Sequence, residues 1–239
     1  MSVPIASNAE TRSFQHAQRI NGSFTAAAEK RVLLWLAEHA PRWLTSDQLT
    51  VLGLCAQIAA GASFALAHFH RAFLLAVIPC LALNWLGDSL DGTLARVRCQ
   101  QRPRYGFYVD HIVDLFGAFA LMLGMGASGF LHWSMALAML LAFLLLSAES
   151  YLATYTLARF HLSQGLFGPT EIRVLLAVGC LALLRSPYST LVGHHFLLFD
   201  ACGLIATICM FAMAVITALR HIVELYHREP LPEMQEPLP

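Results

Sequence analysis

The sequence predicts an all-α membrane protein with six transmembrane helices and an N-terminal amphipathic interfacial helix. Three observations carry that prediction. Charged residues make up 13% of the 239-residue chain, about half of the ~25% found in an ordinary soluble domain. Apolar runs occupy residues 49–69, 72–87, 115–129, 133–147, 174–184 and 196–219, and a helix needs ~20 such residues to cross a bilayer. All but two of the 15 Lys and Arg residues, the exceptions being Arg71 and Arg185, fall on one side of a six-span chain, the asymmetry that orients membrane proteins.

The elements follow in order. Residues 1–23 form an N-terminal segment with no apolar core, so no cleaved signal peptide is expected. Residues 24–42 read as the interfacial helix. Leu33, Leu34, Trp35 and Leu36 would face the membrane surface, and Glu29, Lys30 and Arg31 would face water. Residues 43–226 hold the six spans. The shorter apolar runs must recruit flanking residues 88–96, 106–114 and 149–157 to span. Residues 227–239, proline-rich and acidic, read as a disordered tail. No internal repeat is evident. The positive-inside rule places both termini, the Arg-rich loop after the second span and the loop after the fourth in the cytoplasm. The six cysteines form no CxxC pair and read as small buried hydrophobes. The 11 histidines show no zinc spacing, and His111 reads as a supporting or solvated residue. A net charge of zero gives no reason to expect nucleic-acid binding.

One stretch breaks the apolar pattern. "GDSLDGTLARVRCQQRPRYGFYVDHIVD", residues 87–114, carries four aspartates and four arginines. Asp88 and Asp91 are three apart, and Asp110 and Asp114 four apart, so each pair shares one helix face. The first pair ends one span and the second begins the next, which lets four carboxylates converge at the cytoplasmic end. In a low dielectric such charges repel unless a cation compensates them. Carboxylate oxygens are hard ligands that suit Mg²⁺ or Mn²⁺, and two such ions form a clamp for displacement at phosphorus. Gly92 and Ala95 extend the Asp88/Asp91 face with small residues, and Arg96 is placed to hold a phosphate. The bland alternative is an ion-pair network at the membrane edge.

The pattern Asp88-x2-Asp91-Gly92-x2-Ala95-Arg96-x9-Gly106-x3-Asp110-x3-Asp114 resembles the signature of the CDP-alcohol phosphotransferases. "LTSDQLTVLG", residues 44–53, resembles that family's entry to the first span, with Ser46 where a proline is usual and Asp47 and Thr50 kept. The resemblance implies an enzyme of phospholipid synthesis that transfers a substituted phosphate from a CDP-alcohol to an alcohol and releases CMP. It implies Asp88, Asp91, Asp110 and Asp114 as ligands of two Mg²⁺ or Mn²⁺ ions, and Asp114 also as the catalytic base. Asp47, Thr50, Asp88, Gly92, Ala95 and Arg96 would bind the nucleotide. A homodimer is implied too. One substrate would be a lipid, either CDP-diacylglycerol with a soluble alcohol or CDP-choline or CDP-ethanolamine with a diacylglycerol.

The acceptor side is expected in residues 148–176. Glu149, Arg159, Glu171 and Arg173 are its candidates. Glu149 lies in an apolar setting, with pairing to Arg159 or Arg173 as its competing role. Glu171 follows Pro169 and Thr170 and equally suits a helix N-terminus. Members of the family it resembles that accept a phosphorylated alcohol usually carry several basic residues here, and "GPTEIR" offers only Arg173, with Arg159 nearby, so the resemblance favours an alcohol without phosphate. The style of "YGFYVDHIVD" is bacterial and points to a bacterial inner membrane. The alternative function is a divalent-ion or proton-coupled transporter, since intramembrane acids also mark ion pathways. A transporter would place acids near the midplane or in related halves, and these lie at one face.

Overall fold

The structure, a computed structural model, describes residues 18–20, 26–157, 159–161, 168–191 and 194–229. The tail expected over 227–239 lies outside these residues from 230 onward, its first two residues belonging to the last helix, and most of the N-terminal segment lies outside them too. In chain order the elements are β1 (Gln18–Ile20), α1 (Ala26–His39), α2 (Ser46–Ala67), α3 (Phe73–Val97), α4 (Pro103–Ala127), α5 (Trp133–Leu157), β2 (Arg159–His161), α6 (Pro169–Arg185), β3 (Tyr188–Leu191), β4 (His194–Leu197) and α7 (Leu198–Arg228). Helices α2, α3, α4, α5 and α7 have 22 to 31 residues and are apolar enough to cross a bilayer. Helix α6 is the expected fifth span. Its 17 residues give about 26 Å at ~1.5 Å per residue, at the short end of a span. Two short strand pairs depart from the purely helical expectation: β1 runs parallel to β2, and β3 antiparallel to β4.

Helix α2 starts on a reciprocal cap. The Thr45 hydroxyl accepts from Gln48 N (3.3 Å), and the Gln48 side chain accepts from Thr45 N (2.9 Å). From there α2 crosses both neighbours through glycine. A Cβ on Gly87 of α3 would lie 2.6 Å from Gly53 N, and one on Gly124 of α4 would lie 1.9 Å from Gly61 O. Small residues let membrane helices approach to backbone contact. The main core then fills the space with Phe64, Leu74, Val77, Leu131, Cys180 and Leu183.

Helix α1 differs from its sequence pattern. Leu33 is buried with Leu90 and Leu94 of α3, and Leu36 packs at the same seam, whereas Leu34 and Trp35 stay exposed. Glu29 points inward rather than to water. Its Oε1 accepts from Trp85 Nε1 (2.8 Å), Ser89 Oγ (3.1 Å) and Thr170 Oγ1 (3.0 Å). Three donors repay the dehydration of one carboxylate oxygen. Helix α1 is therefore docked on α3 and on the start of α6. Arg98, just past α3, donates to Ala40 O, Pro41 O and Leu44 O and ties down the α1–α2 link. Of the six cysteines, only Cys180 is buried; Cys55, Cys99, Cys202 and Cys209 are exposed on the protein surface.

Candidate active site

The α2–α3 and α2–α4 crossings bring three helix segments to one end of the bundle. Asp88 and Asp91 lie two to three turns before the end of α3, and Asp110 and Asp114 lie two to three turns into α4. Oxygens of Asp88, Asp110 and Asp114 all lie within 4.8 Å of one another. Asp91 stands beside them and is 7% exposed. Its Oδ2 accepts from Thr50 Oγ1 (2.6 Å), and its Oδ1 from Gly92 N (2.5 Å). All four carboxylates, with Thr50, Gly53, Gln57 and Asn84, border one small inner chamber.

A larger cleft of about 310 Å³ opens beside it. Asp47 and Thr50 line one wall, Gly92, Ala95 and Arg96 the floor, and Gly106, Asp110 and His111 the other wall. A Cβ on Gly106 would meet nothing within 4 Å, so no protein atom requires glycine there and the position borders open cleft. Ser46, at the position where proline was expected, donates from Oγ to Asp91 O (2.9 Å) and ties the start of α2 to α3. Asp47 pairs with Arg102 (2.5 and 2.6 Å) across the mouth, and Arg102 lies 4.1 Å over the Tyr105 ring. That hydrogen bond holds the Arg102 guanidinium pKa above its ordinary value.

The acceptor candidates separate. Arg173 joins the cluster: Nη2 donates to Asp88 Oδ2 (2.6 Å) and Nε to Asn84 Oδ1 (2.7 Å). Its Nη1 is buried without a hydrogen-bond partner among the described residues, a state that costs about 1–3 kcal/mol. Glu171 caps α6, accepting from Gly168 N (2.8 Å). Among the described residues Glu149 meets not Arg173 but His221: its Oε1 lies 2.5 Å from His221 Nδ1 of α7. The two helices juxtapose these groups at equal depth from the same end, which a reading of single segments misses. The backbone of Arg159 lies in β2, and its side chain is outside what is described.

Sequence reasoning passed over Asn84, Gln57, Arg102 and Tyr105. Asn84 and Gln57 were detectable as uncharged polar residues inside apolar spans, and Arg102 and Tyr105 as flanks of the motif. His111 accordingly sits at the cleft wall, its Nδ1 2.6 Å from Phe107 O, and its carbonyl takes a long bond (3.4 Å) from Tyr151 OH of α5.

The donor set of the inner chamber fits a divalent ion. It consists of hard carboxylate oxygens from two antiparallel helices, with neither thiolate nor imidazole in the cluster of three.

Comparison with known proteins agrees with this geometry. No functionally curated protein matches the chain. Among solved structures, the phosphatidylinositol phosphate synthase of Mycobacterium tuberculosis with CDP-DAG bound is similar in fold. It has 20% sequence identity and a TM-score of 0.57, over 82% of this chain and 94% of that one. A family model described as CDP-alcohol phosphatidyltransferase matches residues 43–219, which takes in the four clustered aspartates and every cleft residue above. The chain is thus an enzyme, and it belongs to the CDP-alcohol phosphatidyltransferase family of membrane transferases of phospholipid synthesis.

Proposed function

We propose that the protein transfers a phosphatidyl group from CDP-diacylglycerol to the hydroxyl of an alcohol that carries no phosphate, with release of CMP. The observation that carries this reading is the meeting of Asp88, Asp110 and Asp114 within 4.8 Å beside a cleft floored by Gly92, Ala95 and Arg96. The cleft would take the CMP portion of the donor. Asp47 and Thr50 would hold it from α2, with Asp88 below. Gly92 and Ala95 would let the nucleotide lie against α3, and Arg96 would bind a phosphate oxygen. Asp88, Asp91, Asp110 and Asp114 would hold two Mg²⁺ or Mn²⁺ ions, which when bound neutralise charge on the phosphoryl and leaving groups.

Asp114 would take the proton of the attacking hydroxyl on a carboxylate oxygen. The acceptor oxygen bonds to the diacylglycerol-bearing phosphorus as the pyrophosphate bond breaks, and CMP leaves. Arg173 is already engaged with Asp88 and Asn84, which supports an acceptor without a phosphate of its own. Glu149, Arg159 and Glu171 remain candidates for shaping that side. The gathering of Lys and Arg at the site end supports a cytoplasmic site and cytoplasmic termini. A homodimer in a bacterial inner membrane is the expected setting. The transporter reading falls with the family assignment.

The test is CMP release by purified protein with Mg²⁺ or Mn²⁺. Donors are CDP-diacylglycerol, CDP-choline and CDP-ethanolamine; acceptors are inositol, serine, glycerol phosphate and diacylglycerol. Release with CDP-diacylglycerol that requires inositol or serine and vanishes in Asp114→Asn supports the reading. Release only with glycerol phosphate, or only with CDP-choline or CDP-ethanolamine, overturns the substrate assignment.

A further inference from the structure

Asn84 lies on α3 one turn before Asp88 and is 3% exposed. A neutral amide at this depth is not a member of the carboxylate set, yet one of its bonds leads to that set through Arg173. Its Nδ2 donates to Gly53 O (3.0 Å) and Gln57 Oε1 (3.2 Å), both on α2. Those two acceptors fix which end of the amide is nitrogen, so Oδ1 must face the other way. There it accepts from Arg173 Nε at 2.7 Å. Arg173 in turn donates from Nη2 to Asp88 Oδ2 at 2.6 Å.

The chemistry of the guanidinium gives this chain a consequence. Nε and Nη2 share one of the two edges of the fork that can grip a carboxylate by both oxygens; the other, Nη1 with Nη2, is not used, since Nη1 has no hydrogen-bond partner among the described residues. Asn84 Oδ1 occupies half of that edge. Asp88 is therefore held through Oδ2 alone. The buried and unpartnered Nη1 fits the same account: the guanidinium is oriented for Asp88, not for its own full satisfaction.

We propose that Asn84 is a positioning residue for the transfer reaction: it blocks bidentate capture of Asp88 on the Nε/Nη2 edge of Arg173 and so keeps one Asp88 oxygen available to a divalent ion. The inference rests on the metal-dependent transferase reading above. Without Asn84, Arg173 closes on both Asp88 oxygens and competes with the ion. Lysine at 173 keeps the charge but has no fork, so it cannot make that double contact.

The test is Mn²⁺ binding alone, with no substrate, to the full-length protein in detergent, read by the electron paramagnetic resonance signal of free Mn²⁺. Asn84→Ala is expected to raise the Mn²⁺ Kd about 10- to 100-fold, the usual effect of losing a residue that orients a metal ligand. Adding Arg173→Lys to that variant should recover most of the lost affinity. A merely structural role for Asn84 gives the opposite: the two changes add, and the double variant binds as weakly as Asn84→Ala or more weakly. Either that result or an unchanged Kd in Asn84→Ala overturns the proposal. Should Asn84→Ala fail to give folded protein, Asn84→Ser serves with the same expectations, because its hydroxyl is too short to reach Arg173. Wild-type protein that neither binds Mn²⁺ nor releases CMP would defeat the transferase reading itself. Wild-type protein that does both, with Asn84 variants that bind Mn²⁺ equally well, defeats only this inference.

Discussion

Helices α2, α3 and α4 meet backbone to backbone, while α5 and α7 meet side chain to side chain. At Gly61, Gly87 and Gly124 an added Cβ would strike main-chain atoms at 1.9 to 2.6 Å. At Gly203 of α7 the nearest atom is Met139 Sδ of α5 at 2.9 Å, followed by Met135 Cγ at 3.0 Å. Main chain cannot retreat, whereas a thioether can swing aside. The share of each span buried within the protein is one third for α2 and α3, 17% for both α4 and α5 and 11% for α7, so backbone contact, not burial, is what sets α4 apart from α5. The four aspartates sit in the unyielding half. Carboxylates that must hold ions at fixed separation need ligands placed to a fraction of an ångström, and glycine crossings supply such placement without side-chain freedom.

The largest expected effect tests whether the chemistry belongs wholly to that half. Asp114→Asn should lower CMP release by about 10²–10⁴-fold, the usual worth of a positioned base, while much of the metal-dependent CMP binding survives. Asp88→Asn or Asp91→Asn should lose metal and nucleotide together, as isothermal titration with CMP would register. Full turnover in any of the three would break the assignment.

The glycines sharpen the comparison directly. Gly124→Ala forces α2 and α4 apart, and overpacking of this kind costs about 1–3 kcal/mol or more. Melting in detergent should fall markedly, and transfer activity with it. Gly203→Ala needs only methionine rearrangement and should cost less than about 1 kcal/mol. Equal losses at the two sites would mean that the halves are equally compliant.

Much of the rigid half was legible in the sequence. The spacing of Asp88, Asp91, Asp110 and Asp114 is a property of single helices, and the small residues Gly92, Ala95 and Gly106 mark where a ligand needs room. What escaped depended on partners distant in the chain. Glu29 has the pattern of a solvent-facing residue until Trp85, Ser89 and Thr170 are placed around it. Leu33 reads as a membrane contact until α3 covers it. Asn84 carries no charge to draw attention, and only its bonds to α2 and α6 give it meaning. Arg159 and Arg173 were weighed as partners of Glu149 because they are near in sequence, and its contact with His221, 72 residues away on α7, could not be read from one segment.

That pair provides the next test of the division. If Glu149 and His221 only fasten α5 to α7, then Glu149→Gln and His221→Ala should each lower stability, by about 1–3 kcal/mol for a partner left buried and unpaired. The acceptor KM should stay unchanged. A raised acceptor KM with unchanged melting would move Glu149 into the site and blur the boundary between the halves.

The smallest effect is expected at the mouth of the cleft, where the rigid half meets water. Asp47 and Arg102 are about half exposed as side chains, and an exposed ion pair of this kind is weak and screened by salt. Arg102→Ala should leave melting unchanged and alter the donor KM only about two- to fivefold, the range that such pairs support. The direction of the change reports the role of the pair. If Asp47 must leave Arg102 to contact the nucleotide, removing the arginine frees Asp47 and lowers KM, most clearly at low ionic strength. If Arg102 itself reaches the donor's phosphates, KM rises instead, and raising the salt in wild-type protein should reproduce part of that rise.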